Sequence, residues 1–168
     1  ESGLAVITPH PAAHARWADK RLLAWLGDDE LLQQAGLGVD DRSHLRQTIP
    51  ATEVVEPAAA DDLWQRRKSL FFKPVDGFGS KAAYRGDKLT RTTFEQILAH
   101  RYVAHAPAPT SFRRIQPTDG AEADLRVDVR NYTMHGATWL RAARLYRGQT
   151  TNFRTTGGGF APVLTLPA

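Results

Sequence analysis

The residues best suited to chemistry lie in one short segment, where lysines stand beside glycines. A strand-like run ends in Lys73, and the loop 76–81 that follows contains Gly77 and Gly79. Because glycine lacks a Cβ, its backbone N–H can approach a phosphate oxygen closely, and a lysine ammonium can bind the same oxygens. The segment therefore predicts a phosphate-binding loop. Further cations lie around it at Lys81, Arg85 and Lys88.

Other interpretations of this loop are weaker or stay open. A dinucleotide-binding turn opens a helix directly after its glycines, whereas residues 82–84 and the turn 85–87 predict the returning strand of a hairpin. The Gly-Lys-Ser/Thr pattern of a P-loop is absent. Ser80 follows a glycine without the strand–turn–helix context of a hydrolase nucleophile. Spacing alone leaves two alternatives, a phosphate-binding loop or an exposed hairpin tip rich in glycine and lysine.

The elements that must position this loop predict an α+β fold, with helices early in the chain and an antiparallel sheet late. Asp28 is a suitable helix N-cap, and Thr92 with Glu95 forms a capping box. Apolar spacing predicts helices over 12–26, 29–35, 58–68 and 93–100, with a polar connection over 37–50. The predicted strands cover residues 4–8, 52–56, 70–73, 82–84, 102–105, 125–129, 139–146 and 160–166.

Composition narrows the class of protein. The 168 residues are 42% hydrophobic and 24% charged, the balance of a folded domain rather than a disordered chain. The sequence contains neither the roughly twenty consecutive apolar residues of a membrane span nor a cysteine for a disulfide, a thiolate metal site or a nucleophile. The lack of cysteine fits a reducing, cytoplasmic setting. A net charge of +4 suits a phosphorylated ligand better than a nucleic-acid groove.

The glycine loop also resembles part of a known family. Residues 71–81, which read FFKPVDGFGSK, are similar to the lysine- and glycine-rich lid of the ATP-grasp superfamily. The run 18–20 resembles the superfamily's Asp-Lys pair before a leucine-rich helix, and 102–105 falls where its hinge strand contacts adenine. The segments 128–130 and 151–159 fall where its C-terminal sheet meets the γ-phosphate. The order of segments resembles the permuted branch that includes glutathionylspermidine synthase, over nearly the whole chain.

The resemblance implies a carboxylate–amine ligase, in which ATP turns a carboxylate into an acyl phosphate that an amine attacks. It also implies three parts. These are a helical segment over 1–51, a lid subdomain with the glycine loop over 52–105, and a C-terminal antiparallel sheet over 106–168.

The same resemblance assigns roles to individual residues. Lys20 and Lys73 would contact the ATP phosphates, and Arg130 or Arg144 would stabilise charge on the transferring phosphoryl group. The other expected ATP-binding residues are Gly77, Gly79, Ser80, Lys81, Val103, His105, Asn152, Arg154, Gly157 and Gly158.

The metal site departs from the family pattern. The resemblance implies Mg²⁺ held by Asn152 and Asp128, yet the superfamily's Glu-x-Asn motif is missing because Thr150 stands at the acidic position. Asp128 is also open to a simpler interpretation, as an ion-pair partner of Arg126 or Arg130 on its own strand.

Two explanations of this departure stay open. The permuted branch carries its metal ligands upstream of the Asp-Lys pair, and a chain that starts at Glu1 without methionine would lack them. Enzyme activity would then need upstream residues or a second copy. Alternatively, the chain is a non-catalytic nucleotide-binding or regulatory module. A phosphopeptide or nucleic-acid binder using the basic residues around the loop is a weaker third class. The expected partners are ATP, an unidentified carboxylate and an amine, with no membrane.

Overall fold

The computed structural model of the chain describes residues 5, 7–77, 81–116, 120–148 and 157–165. The chain divides into two units, Glu1–Ala108 and Pro109–Ala168. The first unit packs helices onto an antiparallel sheet, and the second is built on another antiparallel sheet, so the fold is mixed α+β, as the sequence predicts. None of the described helices is long and apolar enough to cross a membrane. The further boundary at residue 51 stays a prediction.

In the first unit four helices precede the first strand, and helices and strands are mixed after it. Its helices are α1 (Pro11–Trp17), α2 (Arg21–Trp25), α3 (Asp29–Gln34), α4 (Val39–Thr48), α5 (Ala60–Arg66) and α6 (Arg91–Leu98). Its strands are β1 (Thr52–Val54), β2 (Phe71–Pro74), β3 (Tyr84–Arg85) and β4 (Tyr102–His105). Short 3₁₀ turns cover Pro57–Ala59, Arg67–Ser69 and Gly86–Lys88.

The first sheet has the strand order β1–β4–β2–β3, with neighbouring strands antiparallel. Alternate residues of a strand lie on opposite faces of the sheet, and paired residues share a face. Phe72 pairs with Ala104 on the face that forms the core with α5 and α6, where the ring of Phe94 lies edge-on to Phe72 at 6.0 Å. The opposite face is called the lysine face. It carries Phe71, Lys73, Val103 and His105.

The single helix expected over 12–26 is wrong, because the chain leaves the helical conformation between α1 and α2. The Asp19 carboxylate accepts hydrogen bonds from the backbone N–H of Arg21 at 2.8 Å and from its guanidinium at 2.6 Å. The backbone N–H of Lys20 donates to the carbonyl oxygen of Val75, just after β2, at 3.0 Å. A side chain and a strand end thus replace helical hydrogen bonds. The break brings Lys20 to the start of the glycine loop.

The polar connection expected over 37–50 is also wrong, because these residues contain α4. The helix has an acidic first turn and Arg46 in its last turn, which suits the helix dipole. Arg42 and Arg46 both form ion pairs with Asp29 of α3. Charge pairing supports a helix with few apolar residues, which is why hydrophobic periodicity missed it.

The strand after the glycine loop is shorter than expected. Ala82 has a φ of 53°, outside the extended region, and β3 contains only Tyr84 and Arg85. Of the strand expected over 4–8, residues 4 and 6 lie outside the described residues, and the other three, Ala5, Ile7 and Thr8, are not part of a strand.

The cap of α6 is Thr90 rather than the expected Thr92. The Thr90 hydroxyl accepts a hydrogen bond from the backbone N–H of Thr93 at 3.2 Å. We therefore expect Thr90→Ala to lower the free energy of unfolding by about 1 kcal/mol, measured by urea denaturation. The matched variant Thr92→Ala should change it by less than about 0.5 kcal/mol. Equal losses in the two variants would contradict this assignment.

The second unit is a sheet with the order β5–β6–β7–β8, antiparallel throughout. Its strands are β5 (Ser111–Ile115), β6 (Ala123–Met134), β7 (Ala137–Tyr146) and β8 (Gly159–Pro162). The predicted turn at His135 and Gly136 is confirmed, with φ values of 50° and 77° that match the strand twist of a tight hairpin. Sequence analysis missed β5, and β8 ends earlier than the expected strand over 160–166.

Candidate functional site

Lys20 is fixed against the start of the glycine loop. Its ammonium donates hydrogen bonds to the carbonyl oxygens of Gly77 at 3.1 Å and of Val75 at 3.4 Å. Gly77 has a φ of 105°, in the left-handed region that glycine adopts without strain. The backbone break before α2 and this glycine together hold a cation where β2 ends.

Lys73 lies on the lysine face of β2. It precedes by two residues Val75, whose carbonyl oxygen accepts hydrogen bonds from Lys20. Its side chain is half-buried, and its Nζ lies 5.3 Å from the centroid of the Phe71 ring. Burial, and secondarily the positive charge of Lys20, lower the pKa of Lys73 below its usual 10.5. The positive charge of Lys20 thus acts on the Lys73 ammonium group.

The acids that lie near these lysines in sequence form ion pairs with arginines instead. Asp19, next to Lys20, forms its ion pair with Arg21 at 2.6 Å, and Asp76 of the loop pairs with Arg101 at 3.2 Å. Within the described ranges, neither lysine has a carboxylate partner. The pair of cations is thus left without an anion from this part of the chain.

Val103 and His105 continue the lysine face on β4. Lys73 pairs with Val103, and Phe71 pairs with His105, whose imidazole stacks on the Phe71 ring at 5.6 Å and 29°. Val103 is fully buried and His105 is 9% exposed. Burial lowers the pKa of His105 below 6.5, a hydrogen bond to Ala106 opposes this, and the charge of Lys73 lowers it further. The structure therefore brings together five expected site residues of the first unit: Lys20, Lys73, Gly77, Val103 and His105.

Phe71 is a member of this cluster that sequence analysis did not select. The signal was present, because Phe71 precedes Lys73 by two strand positions and so shares its face. Lys81, which was expected to bind ATP, is exposed at the end of the loop. Gly79 and Ser80 lie outside the described residues.

Three expected residues of the second unit share one face of its sheet. Asp128 pairs in register with Arg144, and Arg130 with Ala142. The Arg144 guanidinium donates to both carboxylate oxygens of Asp128, at 2.5 Å and 3.0 Å. Asp128 thus forms an ion pair with the residue opposite it on the neighbouring strand, where paired side chains lie close together.

The metal ligands are the part of the site that the described residues do not supply. The described ranges contain no group of three or more histidine, cysteine, aspartate or glutamate residues that could hold an ion. A cation at Asp128 would have to displace the Arg144 guanidinium. Asn152 and Arg154 lie outside the described residues, whereas Gly157 and Gly158 lead into β8. A Mg²⁺ role for Asp128 stays a prediction.

Comparison of the chain with family models, curated proteins and solved structures finds no match.

Proposed function

We propose that the chain is the ATP-binding portion of an ATP-grasp carboxylate–amine ligase, with the lysine face as its nucleotide site. The observation that supports this most is the pair of neighbouring ammonium groups, Lys20 and Lys73, which have no carboxylate partner in the described ranges. Like charges that are partly removed from water oppose folding. A polyphosphate would reverse that cost, since charge-assisted hydrogen bonds to phosphate are among the strongest in proteins.

Different residues would have different roles in such a site. When bound, ATP supplies the phosphoryl group that activates the carboxylate for attack by the amine. Lys20 and Lys73 would hold the phosphates, and backbone N–H groups of the glycine loop would donate to the same oxygens. Arg130 or Arg144 would stabilise charge on the transferring group. Mg²⁺ would require Asp128, Asn152 and further acids.

A non-catalytic nucleotide-binding module is the second candidate. The ion pair between Asp128 and Arg144 favours it, because both oxygens of the one acid in that sheet motif are already engaged. The two candidates differ in Mg²⁺ dependence. A module binds ATP equally well with Mg²⁺ or with a chelator, whereas a ligase binds the Mg²⁺ complex more tightly and hydrolyses it slowly.

Thermal denaturation with ATP tests the proposal. At a ligand concentration one hundred times Kd, binding stabilises the folded state by about 2.7 kcal/mol. For a chain of this length, that free energy raises Tm by roughly 5 to 10 °C. AMP at the same concentration should give a smaller rise, because it offers the lysines less charge. No rise in Tm at millimolar ATP, with or without Mg²⁺, would contradict the proposal.

A further inference from the structure

The excess positive charge of the chain belongs to its second unit. Residues 109–168 contain eight arginines, no lysine and four acidic residues, whereas residues 1–108 contain as many acidic as basic residues. The net charge of +4 is therefore the charge of the second unit. Five of its arginines follow Asp128, and no acidic residue does. Such a concentration of charge, which the average over the whole chain hides, favours a polyanionic ligand.

One face of the second sheet carries aromatic rings that are open to solvent. Strand alternation and register place Phe112 of β5, Tyr132 of β6 and Phe160 of β8 on this face, which is called the aromatic face. Their exposed fractions are 54%, 41% and 56%. The two phenylalanines lie three strand spacings apart, or about 14 Å. The rings thus offer several separate surfaces on which planar groups can stack.

Arginines lie among these rings. Arg126 is paired with Phe112 in register, and its guanidinium lies 5.4 Å from the centroid of that ring. Arg130 follows on the same face, four residues further along β6. Within the described ranges neither arginine has a carboxylate partner, because Asp128, which lies between them, is bonded to Arg144. Both guanidinium groups are therefore available to an anion.

Exposed rings beside such arginines fit one class of polyanion. Guanidinium groups bind phosphates with two hydrogen bonds, and unpaired bases stack on aromatic rings and on arginine. Four-stranded sheets with exposed aromatic residues bind two or three bases of RNA in this way. A duplex keeps the faces of its bases inside its own stack. An acidic peptide supplies anions for the arginines but no planar groups for all three rings.

We infer that the aromatic face binds single-stranded nucleic acid. Bases stack on Phe112, Tyr132 and Phe160, and phosphates bind the guanidinium groups of Arg126 and Arg130. This function goes beyond the proposed ATP site and does not rest on it, since Phe112, Arg126, Tyr132 and Phe160 have no role there.

Fluorescence anisotropy with a labelled oligonucleotide tests the inference. The ligands are a single strand of mixed sequence, as DNA and as RNA, the same sequence as a duplex, polyglutamate, and vesicles that contain phosphatidylserine. We expect the DNA or the RNA single strand to bind about tenfold or more tightly than the duplex, because only its bases are free to stack. Equal affinity for the duplex, or stronger binding of polyglutamate or of the vesicles, would overturn the inference.

Three variants assign the binding to this face. Phe112→Ala should weaken it about ten- to a hundredfold, since it removes one stacking surface. Arg126→Gln should reduce the slope of log K against log salt by about 0.7, the effect of one lost phosphate contact. Arg113→Gln is the matched control, because Arg113 is exposed but pairs with Leu125, on the opposite face. Equal losses in the two arginine variants would overturn the inference, since net charge alone would then control binding.

Ultraviolet crosslinking of the unaltered protein provides a test that does not depend on the folding of a variant. Irradiation with bound oligothymidine, followed by mass spectrometry of the peptides, identifies the residues that touch bases. We expect crosslinks at Phe112, Tyr132 or Phe160. Crosslinks confined to other segments of the chain would overturn the inference.

Discussion

Replacing Gly86 with alanine should lower the free energy of unfolding of the first unit by about 3 kcal/mol or more. A Cβ at this position would lie 1.8 Å from the carbonyl oxygen of Arg67, 2.6 Å from its carbonyl carbon and 3.0 Å from the Leu70 oxygen. These are backbone atoms, so a change of rotamer cannot relieve the contacts. Gly86 is also buried, and its N–H donates to the Leu70 oxygen at 2.9 Å. The chain must move to admit even one methyl group.

The displacement would disturb the candidate site, because Gly86 follows β3, which pairs with β2 and thus with the strand of Lys73. Urea denaturation followed by tryptophan fluorescence measures the loss. Gly38→Ala is the matched control, since its Cβ would meet only a flexible Asp41 oxygen at 3.9 Å. Equal midpoints for the two variants would show that the backbone around Arg67 yields easily, contrary to the close packing described.

The second large effect concerns ligand binding. Lys73→Met should weaken ATP binding by about thirty- to a hundredfold, because it removes a charged hydrogen-bond donor to phosphate while retaining the length of the side chain. The control is Lys68→Met, which removes the same charge from an exposed position in the 3₁₀ turn of the first unit. Equilibrium dialysis gives both affinities. A similar loss in both variants would mean that net charge, rather than the position of Lys73, controls binding.

The pH dependence of binding supplies a second readout for Lys73. Its pKa in the free protein is below 10.5, and bound phosphate would raise it, so binding takes up a proton above the lowered pKa. ATP affinity should therefore fall as pH rises through that lowered pKa. Lys73→Arg, which stays protonated, should lack this dependence. An affinity that is independent of pH in the unaltered protein would place Lys73 outside contact with the phosphates.

Local sequence signals predicted some elements well because the tertiary contacts of these elements agree with their local preference. The strand over 102–105 carries bulky residues and is confirmed as β4, with the same bounds. The Asp28 cap of α3 is confirmed by its hydrogen bond to the Leu31 N–H at 3.1 Å. The break before α2 was not predictable from spacing, because it depends on the Val75 carbonyl, which is far away in sequence. The choice of Thr90 over Thr92 as a cap likewise depends on where the backbone turns.

The candidate site was also only partly predictable, because part of it depends on contacts between residues that the sequence pattern does not connect. Lysine beside glycine is a local pattern, so Lys73 and Gly77 could be selected from sequence, and resemblance added Lys20. The pairing of Asp19 with Arg21 and of Asp76 with Arg101, which leaves the lysines without those acids, requires coordinates. The buried Nε2 of His105, which has no hydrogen-bond partner among the described residues, also cannot be recognised without coordinates, because the tautomer of the imidazole ring depends on the Ala106 carbonyl oxygen.

The most direct test of the lysine site is a calorimetric comparison of adenosine, AMP, ADP and ATP. It uses the unaltered protein and the variants Lys20→Met and Lys73→Met. If both ammonium groups bind the polyphosphate, each variant should lose little affinity for adenosine and progressively more as phosphates are added, with the largest loss for ATP. A loss that is the same for adenosine and ATP, or that is absent for ATP, would contradict a shared triphosphate site on the lysine face.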